Sequence, residues 1–270
     1  MLPSIKEIIL STLNLYKNNF IYFLKFILLN FIPIIITTVL VMVTLPISLF
    51  LLNKGIIIQA TAALIILFLF LAITLIGILF NFTVIKALNG AYLKEKNKTV
   101  FEILKESKKV LWKGVGTQIL VGIYISLPVF LTFTIYTIIG YIIQPIPPFV
   151  IILFVLFAIS SFIYALIYSI KLIFAIYKTI LDGEAVKKSI KESIRLVKGR
   201  WITIFVKIIV PILIFWLGFA IIVQILDSLS KNIEILKFVF DTISFTLSIL
   251  IVPLFMIPIL IIFNKAKKIK

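Results

Sequence analysis

Six long apolar stretches, near residues 20–52, 56–85, 115–143, 149–175, 201–226 and 238–263, alternate with short polar ones. Roughly 20 apolar residues cross a hydrocarbon core as a helix, and each stretch reaches that length. Buried strands of a soluble α/β protein run only roughly 4–8 residues between turns. Strands in lipid would leave unpaired edges. The pattern predicts six transmembrane helices. Those longer than one crossing must tilt, kink or start along the interface.

The polar stretches share a local pattern. "SIKEI" stands at Ser4, "ILKES" at Ile103 and "SIKES" at Ser189, and each precedes two apolar stretches. The first apolar stretch of each set carries a proline, at Pro33, Pro128 and Pro211, where a kink is expected. This predicts an all-α integral membrane protein, one membrane domain over residues 1–270. It is built as three repeats of an amphipathic interfacial helix plus a transmembrane hairpin, over approximately 1–90, 91–180 and 181–270.

Helical periodicity supports the interfacial helices. In the third, Val186, Ile190, Ile194, Val197 and Trp201 recur at steps of three or four, with Lys187, Lys188, Lys191, Arg195 and Lys198 on the remaining arc. Phe101, Leu104, Leu111 and Val115 form a looser stripe in the second, and Ile5, Ile8, Ile9, Thr12 and Tyr16 form one in the first. Ser4 with Glu7, and Thr99 with Glu102, fit the capping box that satisfies free amides at a helix start. Such a helix is expected to lie in the headgroup layer, apolar stripe toward the acyl chains and cations toward lipid phosphates. Trp112 and Trp201 would anchor the second and third helices where they meet the bilayer.

Composition sharpens the picture. The chain is 63% hydrophobic with a mean hydropathy of +1.27, against roughly 45–50% apolar residues in soluble domains. Its net charge is +17. Only Lys54, Lys231 and Lys237 of the 27 Lys and Arg lie outside residues 1–25, 86–113, 171–207 and 265–270. The positive-inside rule then puts both termini and the two long loops in the cytoplasm of a multi-pass cell-membrane protein. The turns near 53–55 and 144–148 and the longer link 227–237 would face outward. Topology accounts for the lysines, so no nucleic-acid partner is expected. The start of the chain, with Glu7 and no small-residue cleavage site, does not read as a cleaved signal.

Candidate chemistry is sparse. The chain has no Cys and no His, which removes thiolate and imidazole chemistry, Ser-His nucleophiles and HExxH zinc sites together. No P-loop occurs, and Asp182-Gly183-Glu184-Ala185 lacks the further aspartates of a CDP-alcohol phosphotransferase signature. Neither an enzyme nor a cofactor or metal is expected. Lys25 and Lys207 lie slightly inside their spans. Seven residues of helix rise roughly 10 Å, so either lysine can snorkel back to the headgroups. The alternative is a pair of cations lining a cytoplasmic vestibule, with Gln118 in the corresponding place of the second repeat. Ser161, Ala165 and Ser169, at four-residue spacing, would let another helix approach closely.

Residues 182–211, "DGEAVKKSIKESIRLVKGRWITIFVKIIVP", with fainter echoes at 99–128 and 4–33, resemble a large group of prokaryotic six-helix membrane proteins. The group includes the membrane domain of glycerophosphodiester phosphodiesterases and the YciC-like proteins. The matching positions are Ala185, Ser189 or Ser193, and Gly199 to Trp201. The resemblance implies a membrane domain whose cytoplasmic helix leads into a span. These residues hold no soluble phosphodiesterase domain, so it implies no hydrolase activity.

The expected function is a non-enzymatic membrane protein that organises lipids or protein partners at the cytoplasmic face. Anionic lipids would meet Lys25, Lys187, Lys188, Lys191, Arg195, Lys198, Arg200 and Lys207. A membrane-protein partner or a second copy of the chain is a further expected contact. The alternative function is a transporter or channel for a small solute, anion or lipid, working through Lys25, Lys207 and the proline-broken spans.

Overall fold

A computed structural model describes residues 2–51, 56–95, 98–143, 145–230 and 234–269. The turn expected at 53–55 with Lys54, and the positions Gln144 and Lys231, lie outside the described residues. In chain order the helices are α1 (Ile5–Asn18), α2 (Phe20–Ile27), a 3₁₀ turn (Leu28–Asn30), α3 (Phe31–Leu51), α4 (Ile56–Tyr92), α5 (Val100–Ile142) and α6 (Pro148–Leu172). They continue as α7 (Ala175–Asp182), α8 (Val186–Val197), α9 (Trp201–Ser230), α10 (Glu234–Leu250) and α11 (Val252–Lys268). Among the described residues there is no strand.

Six helical runs are long and apolar enough to cross a membrane: Phe20–Thr44, Ala60–Tyr92, Val100–Ile142, Pro148–Asp182, Trp201–Leu229 and Lys237–Lys268. The chain is a polytopic membrane protein. Both capping boxes form. The Ser4 amide donates to Glu7 Oε2 at 2.7 Å and the Glu7 amide returns to Ser4 Oγ at 3.2 Å. Thr99 and Glu102 make the same exchange at 2.8 and 3.3 Å.

Two expectations need correction. The second amphipathic segment is not a separate rod: α5 runs unbroken for 43 residues through Trp112 and Pro128. Gly114 and Gly116 remain helical there, whereas Gly199, at the matching place before α9, takes φ +76° and ends its helix. The three Lys-Glu pairs also occupy different places. Glu7 caps a helix start, Glu106 binds Lys98 at 2.6 Å further into α5, and Glu192 lies inside α8 against Arg195 at 2.7 Å.

The prolines act unequally. Pro33 has no amide to offer the Leu29 carbonyl, and the 3₁₀ turn Leu28–Asn30 sits just ahead of it. Pro128 and Pro211 lie inside α5 and α9, which stay helical through them. Pro253, in the first turn of α11, marks the end of α10 instead.

The chain forms two compact units, one of residues 1–8, 112–212 and 258–270, the other of 9–111 and 213–257. In the second, Phe23, Phe26, Ile27, Phe82 and Leu88 are fully buried, where α2 and α3 pack on α4. Helix breaks in this unit free carbonyls that side chains then occupy. Asn19, between α1 and α2, donates its side-chain amide to the Leu15 carbonyl at 2.7 Å. The break at Ile251 leaves the Leu250 carbonyl without its helical partner, since the Leu254 amide goes to Ile251. The Tyr16 hydroxyl donates to it at 2.9 Å. Partial burial pushes the Tyr16 hydroxyl above its ordinary pKa, so it remains a donor at neutral pH.

Replacing Tyr16 by Phe is expected to destabilise the protein by about 1–3 kcal/mol, because a part-buried carbonyl loses its donor. The measurement is the thermal unfolding midpoint in detergent, and an unchanged midpoint contradicts this role.

Candidate functional site

The site is α8 and the elements that seat it, all within the unit of residues 1–8, 112–212 and 258–270. Two glycines define its ends. Gly183 closes α7 at φ +68°, its amide donating to the Thr179 carbonyl at 3.1 Å. Gly199 reverses the chain at φ +76° between α8 and α9. Left-handed backbone costs a residue with a Cβ roughly 1–2 kcal/mol, which makes these glycines the hinges of a sharp corner.

The inner face of α8 is buried. Ser189, Ser193 and Val197 are fully enclosed, and Leu196 and Ile190 nearly so. Ile190 packs with Leu172 and Ala175, flanked by Leu120, Val121, Ile125, Tyr168, Val186 and Ile194. The apolar stripe expected to face acyl chains therefore faces the protein's own helices. Sequence periodicity does not separate the two cases, because lipid and protein interior are alike apolar.

Hydroxyls fasten this seat. Thr117 on α5, Thr179 on α7 and Ser189 on α8 are all fully buried. Their oxygens form a row, with Thr117 Oγ1 to Thr179 Oγ1 at 2.8 Å and Thr179 Oγ1 to Ser189 Oγ at 2.8 Å. Ser193 Oγ donates to the Lys171 carbonyl at 2.7 Å, filling a site opened where α6 ends. Lys113 Nζ reaches the Gly183 carbonyl at 3.1 Å. Three neighbouring helices are thus tied to α8 or to its corner.

Asp182, at the end of α7, is held by two cations. Its Oδ2 meets Lys178 Nζ at 2.9 Å and its Oδ1 meets Lys267 Nζ at 2.7 Å. Lys267 also lies 5.6 Å over the Phe263 ring, which meets the Phe174 and Tyr177 rings at a tilt. Both carboxylate oxygens are committed to lysines in a structural clamp between α7 and α11.

The outer face carries the charge. Lys187, Lys188, Lys191, Arg195 and Lys198 are exposed. Lys188 pairs with Glu184 at 2.8 Å, and hydrogen bonding to that carboxylate raises the Lys188 ammonium above its ordinary pKa. Arg195 pairs with Glu192. Lys187, Lys191 and Lys198 have no carboxylate partner among the described residues. Arg200 is half-buried and gives Nε to the Leu196 carbonyl at 3.1 Å.

The other sequence candidates scatter. Lys25 is exposed on α2, in the unit of residues 9–111 and 213–257. Lys207 is half-buried on α9 and donates to the Leu2 carbonyl at 3.0 Å. Trp112 is 71% exposed in mid-helix, and Trp201 is half-buried at the start of α9. Ser161 reaches α5 through a 2.6 Å contact with Thr132. Ala165 and Ser169 are half-buried, and the Ser169 hydroxyl bonds to the Leu166 carbonyl within α6.

Sequence reasoning missed Lys113, Thr117, Lys178, Thr179 and Lys267. Thr117 and Thr179 stand 62 residues apart, and no local pattern signals such a pairing. No family model, curated protein or solved structure matches the chain.

Thr179→Val and Ser189→Ala are each expected to destabilise by about 1–3 kcal/mol. Together they should lose clearly less than the sum, since they break one shared row; strict additivity in a denaturation cycle would refute the row. Gly199→Ala should destabilise by roughly 1 kcal/mol or more, while Gly218→Ala should not. An added Cβ meets open space at both sites, and only Gly199 has positive φ, so equal midpoints for the two variants would contradict the hinge.

Proposed function

We propose that this protein is a non-enzymatic membrane organiser whose helix α8 presents a fixed cationic surface to anionic lipids, or to an acidic protein partner, at the cytoplasmic face of the cell membrane. The observation that carries the reading is the division of α8. Its apolar stripe and both serines are buried against α5, α6 and α7, while five cations remain exposed on the other side. A helix held by its inner face presents its outer charges in one arrangement. Each lysine or arginine near an anionic leaflet contributes about 1 kcal/mol of attraction, and the effect weakens with salt.

The charge distribution of the sequence supports the cytoplasmic orientation of both termini. The resemblance of residues 182–211 to the prokaryotic six-helix group supports a membrane domain without hydrolase chemistry. The transport alternative draws on Lys25, Lys207 and the proline-broken spans. Two of those prolines, Pro128 and Pro211, lie inside α5 and α9, which stay helical through them, and this weakens that support.

Reversing Lys187, Lys188 and Lys191 to Glu removes about 1 kcal/mol of attraction at each position. The enrichment of phosphatidylglycerol over phosphatidylcholine among lipids retained by the protein in nanodiscs should then fall several-fold by native mass spectrometry. An unchanged lipid ratio counts against the proposal.

A further inference from the structure

A second cationic feature lies just past α8. An open recess of about 300 Å³ is lined by Leu2, Arg200, Thr203, Lys207 and Ile269. Arg200, Thr203 and Lys207 follow one another at steps of three and four, so they share one face where α9 begins. The Ile204 amide donates to the Arg200 carbonyl at 3.0 Å, which fixes Arg200 as the residue that opens the helix.

Both cations keep unused donors. Arg200 commits only Nε, to the Leu196 carbonyl, and its guanidinium carries four more N–H groups. Lys207 commits one of its three protons to the Leu2 carbonyl. No carboxylate lies within ion-pair distance of either among the described residues. The ion-paired cations of this unit are Lys178, Lys188, Arg195 and Lys267. Arg200 and Lys207 are half-buried instead, share one recess, and have only neutral carbonyls as partners. Both line one recess, where an anion is attracted by two positive charges.

The chemistry of that anion follows from the lining. A guanidinium fork matches two phosphate oxygens at once, and an ammonium adds a point charge. The Thr203 hydroxyl supplies a further donor. Leu2 and Ile269 make the remaining wall apolar, as suits a glycerol or the first carbons of an acyl chain. Lys207 lies six residues into a membrane span that starts at Trp201, a rise of roughly 9 Å, within the depth a lysine stem bridges to the headgroups.

We infer that this recess binds the phosphate of one anionic phospholipid, held by Arg200, Thr203 and Lys207. The inference rests on the lipid reading of the protein but uses residues separate from the exposed arc of α8.

The test is native mass spectrometry of the full, delipidated chain in detergent, titrated with phosphatidylglycerol. The wild type is expected to retain one lipid after excess is removed by activation. Arg200→Gln and Lys207→Gln should each weaken retention about tenfold, the equivalent of about 1.4 kcal/mol. Thr203→Val, at an exposed position, should weaken it several-fold with an unchanged unfolding midpoint. The Lys187, Lys188 and Lys191 reversal should leave the single bound lipid in place. Retention undiminished in Arg200→Gln and Lys207→Gln overturns the inference. So does displacement of the lipid by millimolar inorganic phosphate, which identifies the ligand as free phosphate. Loss of bulk anionic-lipid enrichment in the α8 reversal, with no single retained lipid in the wild type, overturns the recess and leaves the wider proposal standing.

Discussion

Where water is scarce, a backbone carbonyl that loses its helical amide must find another donor or stay unpaired at a cost of several kcal/mol in hydrocarbon. Several interruptions of these helices meet that constraint with a side-chain donor. The Leu15 carbonyl takes the Asn19 side-chain amide, the Leu250 carbonyl takes the Tyr16 hydroxyl, and the Lys171 carbonyl takes the Ser193 hydroxyl. At the α7–α8 corner the Gly183 carbonyl takes Lys113, and at the end of α8 the Leu196 carbonyl takes Arg200. Polar side chains of this apolar chain are used to complete its backbone.

Polar side chains around α8 are engaged in the same way. Lys178 and Lys267 hold both oxygens of Asp182. The fully buried hydroxyls of Thr117, Thr179 and Ser189 face one another. These four side chains are engaged within the protein. The outward side of α8 carries five exposed cations instead.

Local physics was readable along the chain, and long-range physics was not. The six spans follow from run length, and the capping boxes at Ser4–Glu7 and Thr99–Glu102 from spacing alone. The cationic arc of α8 was visible as a helical arc. The direction of its apolar stripe was not, because periodicity reports that a face meets something apolar without saying whether that is lipid or Leu172 and Ala175. The continuity of α5 through Trp112 escaped for a related reason. Gly114 and Gly199 look alike in sequence, and only the second adopts the left-handed turn that ends a helix.

These points bear on how the cations are arranged. Had the stripe of α8 lain in lipid, its lysines would ride on a helix free to roll and tilt with the bilayer. Burial of Ser189, Ser193 and Val197 removes that freedom, and the left-handed glycines at 183 and 199 set where the helix starts and stops. Arg200 then falls one residue past the second glycine, at the opening of α9, rather than on the arc of α8. The corner that fixes the exposed arc is therefore also what separates it from the recess around Lys207. An exposed cationic face and an open cationic recess arise side by side from one turn of the chain.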